Sequence, residues 1–238
     1  MSASPIVPVS SFSSARWLEQ WALVNAIAVL AATGAAGAAD SAWPVVGTGV
    51  ALLGGLVVGA RDRWTDDGQF GAANAVTALR LGVLALLPLA AGAPAVLIGG
   101  GLCFLAADGL DGWLARRDGR ASSFGAYFDK EADALFVLVL CALAVQEGHL
   151  PLWGLTAGLL RYTFVVTVFW LDPPEKTEAR SSWARYVYAA TVGALLFSFL
   201  PYPGPGRALV ALATAALTLS FGWSLWRMGA RHQPSGRG

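Results

Sequence analysis

Long uncharged stretches, separated by short polar clusters, set the pattern of this chain. About eight apolar stretches fall near 21–38, 43–60, 74–91, 94–115, 123–146, 150–171, 185–201 and 206–227. Each reaches or approaches the roughly 17–25 helical residues that cross a hydrocarbon layer. The breaks have turn chemistry: Asp40-Ser41, Gly92-Ala93-Pro94, Gln146-Glu147-Gly148 and Pro201-Tyr202-Pro203-Gly204-Pro205. Backbone groups in lipid need internal partners, and no strand-like alternation runs through these stretches, so they predict helices. The expected fold is an all-α integral membrane protein, with short polar tails at Met1–Ser14 and Gln233–Gly238.

Composition strengthens this picture. The 238 residues are 56% hydrophobic and 13% charged, with mean hydropathy +0.58, whereas soluble domains carry about a quarter charged residues. A net charge of +1 provides no basic field for a nucleic-acid partner. Cys103 and Cys141 sit inside apolar runs and read as small buried hydrophobes. His149 and His232 lack the neighbours that a metal-binding histidine needs.

Charge placement gives an orientation. Arg16, Arg61, Arg63, Arg116, Arg117, Arg120, Lys130, Lys176, Arg180, Arg185, Arg227 and Arg231 share one side of the eight-span arrangement. Arg207 is the clear cation on the other, so the basic side and both termini are expected in the cytoplasm, at the plasma (inner) membrane. Arg16, the apolar stretch after it and Ala35-Ala36-Gly37-Ala38-Ala39 also have the form of a cleavable leader, but the stretch is long for one and a retained helix is favoured. The glycines at 47, 49, 54, 55 and 59 lack strand–turn–helix context and suit close helix packing instead.

Ionisable groups inside membrane helices are costly and point to function. Asp108, Asp111 and Ala115 end the fourth span on one helical stripe; Gly125, Asp129 and Asp133 open the fifth on another. A short connection makes these helices antiparallel neighbours, with their stripes expected to face each other at the cytoplasmic boundary. Four carboxylates in one volume repel unless cations neutralise them, and oxygen-rich clusters suit Mg²⁺ or Mn²⁺. Two such ions about 3.5–4 Å apart clamp a pyrophosphate. Gly112, Ala115 and Gly125 lack bulk, leaving room for a nucleotide, and Arg116 can contact phosphate.

The run Asp108-x-x-Asp111-Gly112-x-x-Ala115-Arg116, eight residues, Gly125-x-x-x-Asp129-x-x-x-Asp133 resembles the signature of the CDP-alcohol phosphotransferases. Every fixed position is matched. The similarity extends over about 70–228, with Asn74, Thr77 and Arg80 opening the third span. It implies a six-helix catalytic membrane domain at 74–228; outside the resemblance the residues themselves suggest two extra helices within 1–60, an interfacial linker at 61–73 and a tail at 229–238. Such a protein moves a phosphatidyl or related group from a CDP-linked lipid, such as CDP-diacylglycerol, to an alcohol, releasing CMP. By motif position, Asp108, Asp111 and Asp129 would hold two metal ions. Asp133 would complete the cluster and act as general base, and Gly112, Ala115, Arg116 and Gly125 would contact CDP. Family resemblance also implies a homodimer.

The acceptor is less legible. Arg161, inside the sixth span, is expected either to snorkel or pair with a motif aspartate, or to bind substrate. Lys176, Arg180 and Arg185 read either as ordinary positive-inside residues or as an acceptor-phosphate pocket, which would favour glycerol 3-phosphate or inositol phosphate. Two other functions compete: a transporter or channel using the acids as a cation pathway, and a non-catalytic scaffold. The first leaves the small residues and Arg116 unexplained; the second is disfavoured because no motif residue is missing. Because the motif lies in the later six helices, a chain beginning near residue 61 is expected to retain some catalytic capacity.

Overall fold

The computed structural model describes residues 9–65, 68–118, 122–171 and 182–230. Among these residues eight helices follow in order: α1 (Val9–Ala39), α2 (Trp43–Gly59), α3 (Ala72–Leu86), α4 (Pro94–Asp118), α5 (Ser123–Gln146), α6 (Thr156–Leu171), α7 (Ser182–Ser198) and α8 (Pro203–Ala230). Short 3-10 turns occupy Arg61–Arg63, Leu87–Ala90 and Leu152–Leu155, and no strand occurs among the described residues. All eight expected spans are helices. The largest difference is at α1, which starts well before residue 21. Its early polar residues hold no Gly or Pro, so nothing there interrupts a helix once the apolar part anchors it.

The connections follow the expected turn chemistry. Gly92 and Gly148 take φ values of 78° and 74°, the left-handed region that side chains disfavour, directly after α3 with its 3-10 extension and after α5. Pro94 then begins α4, where its missing N–H costs nothing. Between α2 and α3, Trp64 Nε1 donates to Val57 O at 2.8 Å and its ring packs edge-on against Phe70, pinning the linker back onto α2.

Helix α5 is the axis of the molecule. Every residue from Leu135 to Ala144 is buried, and α2, α3, α6 and α7 all pack against it. Helices α1 and α2 pair with each other; α1 lies on α6, and α2 on α5 and α3. Ala26, Val29, Val45, Val46, Leu53 and Leu56 belong to the same apolar core as the α5 residues, so the first two helices are built into the body. The Gln146 side chain accepts from Ala42 N at 2.8 Å, tying the α1–α2 turn to the end of α5.

The outer surface is apolar. Val58, Leu79, Leu89, Trp170, Leu212 and Leu219 are exposed, and only 11% of the apolar stretch in α8 is buried. Among the described residues, four helical stretches, Arg16–Ala39, Ala72–Ala90, Leu152–Leu171 and Pro203–Met228, are long and apolar enough to cross a bilayer. Cys141 is buried and Cys103 faces outward; both are free thiols.

Candidate active site at the carboxylate cluster

Three helices bring the site together. Asp129 and Asp133, four residues apart on α5, share one face. Asp108 comes from α4, and one carboxylate oxygen from each of the three aspartates lies within 4.8 Å of the others. Between them stands Arg80 of α3, whose side chain is 1% exposed. Arg80 Nη1 donates to Asp129 at 2.6 Å and lies 3.4 Å from Asp108, while Nη2 donates to Asp133. Helices α4 and α5 therefore meet at the site through a cation from α3, rather than by their two aspartate stripes alone. The Arg80 guanidinium also stacks over Phe104, its carbon 4.3 Å from the ring centre, and Phe104 stacks on Phe136 of α5 at 3.8 Å. This apolar floor fixes a planar cation that is already held by its hydrogen bonds.

Three carboxylates and one guanidinium carry a net formal charge of minus two when ionised. The aspartates remain partly accessible, at 41%, 37% and 22% for Asp108, Asp129 and Asp133. A converging set of hard oxygen donors with surplus negative charge fits a divalent cation such as Mg²⁺ or Mn²⁺.

Gly125 has a packing reason for its size. A Cβ there would come 2.7 Å from Asn74 Oδ1 and 3.2 Å from Ser122 Oγ. Ser122 caps α5 by accepting from Gly125 N at 3.0 Å. Asn74, Thr77 and Arg80, three residues apart, are all buried on the face of α3 that meets this region.

The remaining expected site residues divide. Asp111, Gly112, Ala115 and Arg116 belong to α4, but their side chains lie outside the described residues, as do Lys176 and Arg180. Arg185 is exposed at the start of α7. Arg161 pairs with an acid, although not with a motif aspartate: its Nη2 donates to Glu131 at 2.8 Å. Glu131 is 2% exposed and projects from the back of α5, away from Asp129 and Asp133. Asn25 of α1 donates to the second Glu131 oxygen at 2.9 Å. Beside this pair, a cavity of about 230 Å³ opens between α1, α5 and α6, lined by Leu18, Tyr127, Lys130, Arg161 and Phe164 among others.

Sequence reasoning missed four residues here: Arg80 as part of the cluster, Glu131, Asn25, and Tyr188 of α7, whose buried hydroxyl adjoins Asp133 without a hydrogen bond of ordinary geometry. Arg80 and Glu131 had a signal, each being a charge within an apolar stretch. Asn25 and Tyr188 had none without the tertiary arrangement.

Residues 70–226 match the family model described as CDP-alcohol phosphatidyltransferase. The chain belongs to the CDP-alcohol phosphatidyltransferase family. It is an all-α integral membrane protein with a six-helix family core preceded by two further helices. A curated Pseudomonas fluorescens protein named CDP-diacylglycerol–glycerol-3-phosphate 3-phosphatidyltransferase is 36% identical over 129 residues, covering 52% of this chain and 66% of that relative. No solved structure matches this chain. The family match starts just before α3, leaving α1 and α2 outside it.

Proposed function

We propose that the protein transfers a phosphatidyl group from a CDP-linked lipid such as CDP-diacylglycerol to an alcohol, releasing CMP, at the cytoplasmic face of the plasma membrane. The observation that carries this reading is the convergence of Asp108, Asp129 and Asp133 on Arg80 within the family-matched region. In the transfer, the acceptor hydroxyl oxygen bonds to the phosphorus next to the lipid, and that phosphorus loses its bond to the oxygen bridging to CMP. The hydroxyl proton passes to Asp133 and CMP departs with the bond electrons.

Asp108, Asp111, Asp129 and Asp133 would hold one or two Mg²⁺ or Mn²⁺ ions, which would offset charge on the pyrophosphate and the leaving phosphate. Arg80 keeps the three described carboxylates at fixed separations before substrate arrives, and preorganised charge of this kind supplies much of the catalysis in phosphoryl transfer. Asp133, deepest along α5, takes the general-base role. Gly112, Ala115, Arg116 and Gly125 form the nucleotide-binding side. The relative's name supports glycerol 3-phosphate as acceptor, ahead of inositol phosphate. Its phosphate would meet cations from the set Lys176, Arg180 and Arg185. Residues 74–228 form the catalytic domain, and the working unit is a homodimer. A cation pathway is disfavoured, because it gives no role to Gly112, Ala115, Arg116 and Gly125 at their motif spacings.

Purified protein given labelled CDP-diacylglycerol and a panel of alcohols, with products resolved by mass, tests the reading. Phosphatidylglycerol phosphate and CMP in equal amounts are expected with glycerol 3-phosphate. No CMP release with any acceptor would overturn it.

A further inference from the structure

Helix α5 is held from both sides. On its front, Arg80 grips Asp129 and Asp133. On its back, about 200° around the helix from Asp129, Glu131 accepts from Arg161 of α6 at 2.8 Å and from Asn25 of α1 at 2.9 Å. Successive odd-numbered residues of the motif helix are thus fixed alternately by α3 and by the α1–α6 pair.

The close seating of α6 has a visible cause. A Cβ on Gly158 would lie 2.5 Å from the Leu138 Cα, so the two backbones approach as only glycine permits. Arg161 lies one turn along α6 from Gly158, and Glu131 two turns along α5 from Leu138, so the same contact delivers the guanidinium to the carboxylate. Asn25 completes the clamp at a cost. It is 2% exposed, and its Oδ1 has no hydrogen-bond partner among the described residues. A buried amide with one unsatisfied atom is poorer for stability than an apolar side chain of that size, whereas a hydrogen bond to a buried carboxylate is strongly directional.

We infer that Asn25 and Arg161 are positioning residues: by clamping Glu131 they set the rotation of α5 about its axis, and with it the placement of Asp129 and Asp133. This rests on the reading of those aspartates as metal holders. It gives α1 a task in the catalytic unit, and it reverses the expectation that a chain beginning near residue 61 keeps catalytic capacity, since that chain lacks Asn25.

The test compares the full-length parent with Asn25→Ala, Asn25→Ser and the exchanged double variant Asn25→Asp/Glu131→Gln, in which the carboxylate and the amide change places. Mn²⁺ affinity per folded molecule is read by paramagnetic resonance, alongside kcat and KM for CDP-diacylglycerol. Asn25→Ala should weaken Mn²⁺ binding by about 10-fold, as loss of an outer support of a metal site commonly does, and lower kcat with KM little changed. Asn25→Ser, whose hydroxyl is too short to reach, should do the same and serves if the alanine protein does not fold. The double variant should recover most of both losses. If Asn25→Ala and Asn25→Ser melt at lower temperature but keep parental Mn²⁺ affinity and kcat, the role is structural only and the inference is wrong. A parent that binds Mn²⁺ but releases no CMP defeats the proposed reaction, and the Mn²⁺ comparison then decides the positioning role alone. A parent with no Mn²⁺ binding overturns the inference.

Discussion

Arg80 Nη1 sits 2.6 Å from the Asp129 carboxylate, joining α3 to α5 inside the carboxylate cluster. A cation in that place lets three acids share a small volume before any metal arrives. Replacing Arg80 with Gln should therefore destabilise the metal-free protein by about 3 kcal/mol, at the low end for breaking a buried ion pair because the carboxylates retain contact with water. Added Mg²⁺ should then raise the melting temperature of Arg80→Gln more than that of the parent. Equal Mg²⁺ shifts in the two proteins would show that guanidinium and metal do not share these carboxylates.

Metal removal gives a direct check. Excess chelator should stop CMP release, and Mg²⁺ or Mn²⁺ should restore it, because the acids otherwise repel one another around a single guanidinium. Full turnover in excess chelator would exclude the metal reading.

Asp133→Asn and Asp111→Asn should differ in kind. The first keeps volume and an oxygen donor but removes the proton acceptor, so single-turnover rates should fall by roughly 10²–10⁴-fold, with CDP-lipid affinity largely retained. The second depletes charge at the metal cradle and should weaken metal and nucleotide binding as well as turnover. Affinity and rate measured side by side at saturating metal separate the two. A parental rate for Asp133→Asn would assign the base elsewhere.

Gly158→Ala should destabilise the protein by about 1–3 kcal/mol, the usual cost of overpacking, since its new methyl meets the Leu138 backbone. Gly125→Ala should cost less, because it meets the movable end of the Asn74 side chain. Melting temperatures in detergent rank the pair, and the reverse order would contradict the packing described for α5 and α6.

Much of the fold was legible because lipid leaves the backbone few choices. Uninterrupted apolar runs and Gly/Pro breaks placed all eight helices, and the spacing of Asp108, Asp129 and Asp133 on two helices joined by a short connection brought them together. What stayed hidden were partners chosen by tertiary packing. Arg161 and Arg80 carried the same signal, a charge in an apolar span, yet whether each met Glu131 or the motif aspartates depended on which face of α5 its helix approached. Asn25 is an ordinary polar residue in sequence and becomes informative only opposite a buried carboxylate. The start of α1 was missed for another reason: polar residues with adequate helix propensity can extend a helix beyond its apolar part.

The carboxylate cluster and Arg80 lie well inside the helices. Counting from Ser123, Asp129 and Asp133 stand about 9 and 15 Å along α5, and Arg80 about 12 Å from the start of α3. The proposed donor is a bilayer lipid and the protein is integral to the membrane, so encounter becomes a search in two dimensions. Turnover should follow the mole fraction of donor in the bilayer rather than its amount per litre. Diluting the donor with inert phospholipid at fixed total donor should slow the enzyme even though nothing in the water has changed.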